Sequence, residues 1–168
     1  MMGSTDRFDP NAISFRPIED QDQPLLRALY ASTRADEMAM VPHWSEIEKA
    51  SFLDHQFNAQ HDWYHKVYSD ASFLIIQYEG KPAGRMYIHR QTEEIRLIEI
   101  TILPELRNRG LGEYLIRNLM EEAAGEGKAV RIHVEHFNRA LKLYERLGFK
   151  VLDVVNGVYL YMEWRKPE

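Results

Sequence analysis

Leu97-Ile-Glu-Ile-Thr-Ile-Leu-Pro-Glu-Leu-Arg-Asn-Arg-Gly-Leu-Gly112 decides how the rest of the chain is read. Leu97, Ile98, Ile100, Thr101, Ile102 and Leu103 are strand formers, with Glu99 the one charge among them. Pro104 cannot donate to a ladder, so the strand should end there. Arg107-Asn108-Arg109-Gly110-Leu111-Gly112 then opens a segment from Glu113 to Ala124 with Leu115, Ile116, Leu119, Met120 and Ala123 at helical spacing. Glycines at a helix start let backbone approach a ligand closely. The first-turn amides lack intrahelical partners, and the helix dipole favours an anion there. Arg107 and Arg109 add guanidinium donors suited to phosphate oxygens. The chemistry implied is binding of a pyrophosphate-like group, although a Gly-x-Gly pair also occurs in ordinary turns.

Common nucleotide motifs fit poorly. There is no Gly-x-x-x-x-Gly-Lys-Ser/Thr, and Leu115 stands where Gly-x-Gly-x-x-Gly needs its third glycine. What remains, Arg-x-x-Gly-x-Gly after a strand ending in Leu-Pro, resembles the acetyl-CoA signature of the GNAT superfamily of N-acetyltransferases. A second stretch, Asn138-Arg-Ala-Leu-Lys-Leu-Tyr-Glu-Arg-Leu-Gly-Phe149, is similar to the helix and turn after that family's fifth strand. Together they cover Leu97 to Phe149; the remainder carries no specific motif.

Composition sets the outer bounds. The 168 residues suit one domain with a sizeable core, read as a flexible start over 1–11 and a single acetyltransferase domain over 12–168. Apolar residues make up 45% and charged residues 28%, as in soluble globular proteins. The net charge of -5 argues against a general nucleic-acid binder. With no cysteine there is no disulfide framework, thiol nucleophile or thiolate metal site, which suits a reducing cytoplasm. No apolar run reaches membrane-span length, no signal peptide is evident, and Arg7 spoils a myristoylation-like start at Gly3.

Taken in order, Ala12–Ile18 reads as a strand. Asp20 or Asp22 can cap a helix bearing Pro24, Leu25, Leu26, Leu29 and Tyr30 that runs out around Met38–Pro42. Ser45 can cap a second helix, which extends or restarts through Trp63 to Tyr68. Strands follow at Ser72–Tyr78, Ala83–His89 and Ile95–Leu103, an antiparallel meander. Strand Val130–Glu135 comes after the helix, so it should lie parallel to the organising strand. A short helix over Asn138–Leu147 precedes a hairpin of Phe149–Val155 and Val158–Trp164 around Asn156-Gly157. The fold expected is α/β (α+β): a mixed, mostly antiparallel seven-stranded sheet with about four helices. The resemblance implies that the central parallel pair splays, with pantetheine in the gap.

By resemblance, the acetyl-CoA site includes Ile102 and Leu103 at the strand end, Arg107, Asn108, Arg109, Gly110, Leu111 and Gly112 in the loop, Glu113 in the first helical turn, and Asn138 and Tyr144. Acetyl transfer to an amine requires three things: a base, a donor for the developing oxyanion, and an acid for the leaving thiolate. None of them requires a metal. Backbone amides around Ile102 and Leu103 are candidates for the oxyanion. Tyr144 is the candidate acid; otherwise its ring only packs beneath the sheet. Glu99 is the candidate base, with Glu135 and His133 as rivals, or else it pairs with Arg96 or Arg131. Asn138 either reaches the cofactor or only caps its helix. Acceptor-wall candidates are His43, Trp44, His55, His61, Trp63, Tyr64, His65 and Tyr68, half of them expected to face the core. Asp36 and Glu37 either hold a cationic acceptor or stay solvated. His61 and His65 have i,i+4 ligand spacing beside Asp62, but no third ligand is evident.

The reading is an acetyl-CoA-dependent N-acetyltransferase acting by direct attack of a primary amine, small-molecule or peptide, in a ternary complex. Alternatives are a longer acyl donor, a non-catalytic acyl-CoA sensor or interaction module, and a nucleotide binder. Dimers are common in the family, and the closing hairpin could pair across an interface of a homodimer.

Overall fold

The computed structural model describes residues 7–168; Met1–Asp6, within the segment expected to fray, lie outside the described residues. Phe8 already packs on Tyr114, and the Asp9 amide donates to the Tyr78 hydroxyl at 2.7 Å. Seven strands form one sheet: β1 (Ile13–Pro17), β2 (Ser72–Tyr78), β3 (Lys81–Arg90), β4 (Glu94–Ile102), β5 (Ala129–Glu135), β6 (Lys150–Val155) and β7 (Tyr159–Trp164), in the order β1-β2-β3-β4-β5-β7-β6. Only β4 and β5 run parallel, joined by a helix that crosses over the sheet. Glu79 and Gly80 turn β2 into β3, and Asn156 and Gly157 turn β6 towards β7, all four at positive φ.

Five α-helices are described: α1 (Gln23–Ser32), α2 (Ala35–Ala39), α3 (Glu46–Val67), α4 (Leu111–Gly125) and α5 (Leu141–Arg146). The first expected helix divides into α1 and α2. The Ser32 and Thr33 hydroxyls donate to the Leu29 and Tyr30 carbonyls at 2.7 and 2.6 Å, competing with the helical ladder where α1 ends. Asp22 does not cap α1 with its side chain; its carboxylate takes a forked pair of bonds from Arg16 instead. Ser45 does cap α3, accepting from the Glu48 amide at 3.0 Å, and α3 runs unbroken to Val67. The last helix is shorter than expected, because Asn138–Ala140 form a turn ahead of α5.

Helices pack on both faces. Leu115, Ile116 and Leu119 of α4, with Leu147 and Phe149 at the end of α5, cover Met86, Ile88, Ile95, Leu97, Val130 and Ile132. On the opposite face Leu26 and Tyr30 of α1 and Phe57 of α3 meet Ile75. Burying such side chains stabilises the fold by roughly 1.5–3 kcal/mol each.

Two irregularities shape β4. Tyr87 pairs with Glu99 but Ile88 pairs with Leu97, so Ile98 is an extra, bulged residue. The parallel ladder joins Glu94–Leu97 to Ala129–Ile132 and stops there, although β4 continues to Ile102 and β5 to Glu135. The expected splay therefore begins at the bulge. Near the end of β4, β3 comes so close that a Cβ on Gly84 would overlap the Thr101 carbonyl oxygen.

Two outcomes follow for stability. Gly84→Ala must push β3 off β4, and should lower unfolding free energy by about 2 kcal/mol or more, read by urea denaturation. His61 and His65 stack on Phe57 and Phe73, and His61 Nδ1 and His65 Nε2 are buried without a partner among the described residues. Burial holds both imidazoles below the ordinary histidine value. The fold disfavours their charged form, so stability is complete above about pH 6.5. It is lost as pH falls through the lower folded values, because the unfolded chain binds more protons. The melting temperature should drop from pH 7 to pH 5, and His65→Phe, which keeps the stack on Phe73, should reduce that drop.

Candidate active site

Where the parallel ladder stops, β4 and β5 continue without bonding to each other. The Leu103 amide donates to the Ala83 carbonyl at 2.8 Å, so it is bound to β3. Antiparallel pairing alternates, so Ile102 and Ile100 turn their backbone groups the other way, toward the gap before β5. Of the two strand-end amides read from the sequence, that of Ile102 is the one open to a ligand.

The loop beyond the strand delivers a helix N-terminus to the same end. Gly110 precedes α4 at φ +84, a left-handed conformation that suits glycine. Tyr114 makes the first α4 bond, its amide donating to the Gly110 carbonyl at 3.0 Å. The Leu111, Gly112 and Glu113 amides thus have no intrahelical acceptor, and among the described residues no side chain caps the helix. A Cβ on Gly112 would have ordinary contact only, with Ile102 Cγ1 at 3.9 Å, so the first turn sits directly behind the open strand end. Asn108 also adopts positive φ, at +63. The Glu113 carboxylate accepts from Arg146 at 2.8 Å, tying α4 to α5.

Arg107 is wired differently from the expected phosphate ligand. Its Nε donates to the Ile102 carbonyl at 2.9 Å and its Nη2 to Ser32 Oγ at 2.8 Å, so it braces the strand end against α1. Burial lowers its pKa, with Arg139 adding to the effect. Arg109 lies over the Tyr78 ring at 5.4 Å and donates to the Arg7 carbonyl at 3.4 Å.

The Glu99 carboxylate is near enough for its charge to act on the Tyr144 phenol. Tyr144 is buried in the α4–α5 core, and its hydroxyl has no hydrogen-bond partner among the described residues. Burial, reinforced by Glu99, raises its pKa, so the phenol keeps its proton at neutral pH. Glu99 is on the α1–α3 face. Thr101 Oγ1 donates to its Oε1 at 2.9 Å and the Tyr64 hydroxyl to its Oε2 at 3.4 Å. Its ionic partner is Arg85, Nη2 at 3.9 Å, rather than Arg96 or Arg131. Arg96 and Arg131 both bind Glu94. Burial and Glu99 hold the Tyr64 phenol neutral too. Arg85 was invisible to sequence reading because one arginine within a strand carries no signal of burial.

The rival bases are engaged. Both Glu135 oxygens accept from Arg34 at 2.9 Å. His133 Nδ1 meets Arg96 Nη1 at 2.7 Å, and its ring stacks on Tyr161. Asn138 Oδ1 accepts from the Ala140 amide at 2.8 Å, closing a turn ahead of α5 rather than capping the helix itself. Of the residues expected to wall the acceptor site, Tyr64 reaches Glu99, Tyr68 packs edge-on to His89, and His61 and His65 stack inward, whereas His43, His55 and Trp63 are exposed. Trp44 packs on Phe52. Glu37 joins Arg34 at 2.9 Å, and Asp36 meets Arg139 at the surface. Among the described residues no helix is long and apolar enough to cross a membrane.

Comparisons with known proteins agree with this fold. A Methanocaldococcus jannaschii protein, an uncharacterized N-acetyltransferase by name, is 31% identical over 107 residues, covering 56% of this chain and 47% of its own length. The chain thus spans about half of that relative. A Bacillus subtilis chain provisionally named a ribosomal protein bS18-alanine N-acetyltransferase is 27% identical over 134 residues, covering 77% of this chain and 87% of its own. PaiA N-acetyltransferase from Thermoplasma acidophilum, solved with coenzyme A, shares the fold at TM-score 0.66 and 19% identity, over 92% of this chain and 99% of that one. Arabidopsis thaliana Naa50, solved with the bisubstrate analogue CoA-Ac-MVNAL, superposes at TM-score 0.59 and 14% identity, over 91% and 98%. The model of the acetyltransferase (GNAT) family matches residues 38–149, so the loop, the splayed strands and Tyr144 all fall within it, and the chain belongs to that family.

Proposed function

We propose that this protein is an N-acetyltransferase that moves an acetyl group from acetyl-CoA to a primary amine by direct attack in a ternary complex. The carrying observation is the ladder that ends at Leu97 and Ile132 while both strands continue, leaving β4 and β5 unbonded to each other beyond that point. The residues present fit the cofactor. The unbonded amides of Leu111, Gly112 and Glu113 suit its diphosphate, and the outward backbone of Ile102 suits an extended amide-bearing arm. When bound, acetyl-CoA supplies an acyl carbon activated by its thioester.

The chain's residues then divide the work. Glu99 takes the proton that the nitrogen of the neutral amine loses, directly or through water, as that nitrogen bonds to the acyl carbon. The Ile102 amide is aimed where negative charge develops on the acyl oxygen. Tyr144 gives its proton to sulfur as the carbon–sulfur bond breaks, and regains one from solvent. The acceptor enters from the α1–α3 face, past Tyr64. The peptide analogue on Naa50 and the alanine acceptor in the Bacillus relative's name support a peptide α-amine alongside small amines. A cytoplasmic location accords with the lack of cysteine.

Release of free CoA thiol, followed across peptides and small amines, tests the proposal. Uptake of acetyl-CoA with no transfer across the whole panel would replace the enzyme by a sensor of acyl-CoA. Tyr144→Phe should lower kcat on the order of 100-fold while CoA affinity by calorimetry stays within about twofold. Glu99→Gln should lower kcat/KM for the amine by a similar factor of about 100; full activity in that variant would remove Glu99 from the mechanism.

A further inference from the structure

Past Leu97 and Ile132 no backbone ladder sets the distance between the two arms of the gap. The β4 arm is held on its outer side by β3, and the β5 arm by β7. A link between them runs through the corner where α1 gives way to α2. On one side Ser32 Oγ accepts from Arg107, whose Nε holds the Ile102 carbonyl at the end of β4. On the other side, two residues along, Arg34 makes a forked pair of 2.9 Å bonds to Glu135, the last residue of β5. The corner thus bridges the open V from tip to tip.

The Arg34–Glu135 pair is built for that task. Each side chain is only 16% exposed, so solvent screens it little. Arg34 Nε is buried without a partner among the described residues. The guanidinium lies over the Tyr30 ring at 5.2 Å, and the Tyr30 hydroxyl donates to Gln56 of α3 at 3.1 Å. Asp36–Arg139, by contrast, is a long and exposed contact that contributes little. Tyr159 lies opposite Glu135 in the β5–β7 ladder.

We infer that Arg34 is a positioning residue: through Glu135 it sets the width of the opening between β4 and β5 by which the acceptor nitrogen reaches the thioester. This rests on the acetyl-transfer reading for the identity of what passes, though not for the bridge itself. A planar guanidinium with two parallel bonds fixes angle as well as distance, which a lysine in the same place does not.

The test compares Arg34→Gln, Arg34→Lys, Glu135→Gln and the exchange Arg34→Glu/Glu135→Arg with the unaltered chain. Each is assayed for acetyl-CoA affinity by calorimetry, for amine KM and kcat, and for amide hydrogen exchange. Arg34→Gln should lower kcat/KM for the amine about tenfold or more, chiefly through KM, with acetyl-CoA affinity within about twofold. The exchange variant should recover part of the loss, and Arg34→Lys should fall between. Amide protection should decrease together at residues 33–39 and 134–138 and stay unchanged in α4. Unchanged amine kinetics and protection in Arg34→Gln would overturn the inference, as would a parallel loss of acetyl-CoA binding and melting temperature. If the unaltered chain binds acetyl-CoA but acetylates nothing, the functional reading fails, and the exchange pattern alone still decides for or against the bridge. If Arg34→Gln does not fold, Glu135→Gln, which keeps a hydrogen-bond acceptor at that site, carries the same readouts.

Discussion

The rest of the site depends on an interrupted parallel ladder. Two strands that run side by side for four residue pairs then continue without bonding to each other. Each backbone group left there without a partner or solvent costs about 1–3 kcal/mol, so the gap is stable only where something polar enters it. Pro104 ends β4 at the mouth of this gap, and the following turn places the first turn of α4 behind it. Unpaired strand amides and unpaired helix amides therefore meet at one end of the sheet. A ligand with an extended amide chain and an anionic group satisfies both sets at once.

Most of the scaffold was legible in the sequence. Alternation and turn residues placed all seven strands within about two residues, and the glycine-rich loop marked the start of α4 to the same precision. The side Glu99 faces was not legible. Strict alternation puts it beside Ile95 and Leu97 on the α4 face. The bulge at Ile98 shifts the phase, so Glu99 and Thr101 point to α3 while Ile100 and Ile102 pack with the α4 core. Nothing in Leu97–Ile102 announces a bulge, since each residue there is an acceptable strand former apart from Glu99 itself. The split between α1 and α2 was hidden for a related reason: Ser32 and Thr33 tolerate helix interiors, and only their bonds to the Leu29 and Tyr30 carbonyls disclose the end.

Residue type also leaves wiring undisclosed. Arg107 carries the chemistry of a phosphate ligand, yet two of its donors hold Ile102 and Ser32. It thereby fixes the carbonyl of the residue whose amide faces the gap, and rotation of that peptide would break the bond. In the proposed reading, the backbone amides of the first α4 turn face the anion whatever the loop's side chains do. Side chains at the loop can then vary in role without changing the donors that point outward.

The charge beneath Glu99 bears on the chemistry more than the carboxylate alone. Arg85 is 1% exposed, with its Nε and Nη1 lacking partners among the described residues, Nη2 on Gln60 at 3.1 Å and Glu99 at 3.9 Å. A guanidinium so buried stays because a carboxylate of opposite sign sits beside it, and removing either partner leaves an uncompensated charge in a poor solvent. The pair is close to neutral as a unit. In the proposed reaction, an arriving ammonium would meet a carboxylate whose charge is already partly balanced, while the Arg85 cation would repel the positive form of the amine. Both effects favour the neutral amine at this point, and only the neutral amine has the lone pair that attacks an acyl carbon. The same arginine that lets a carboxylate exist within an apolar strand therefore biases its visitor toward the reactive protonation state.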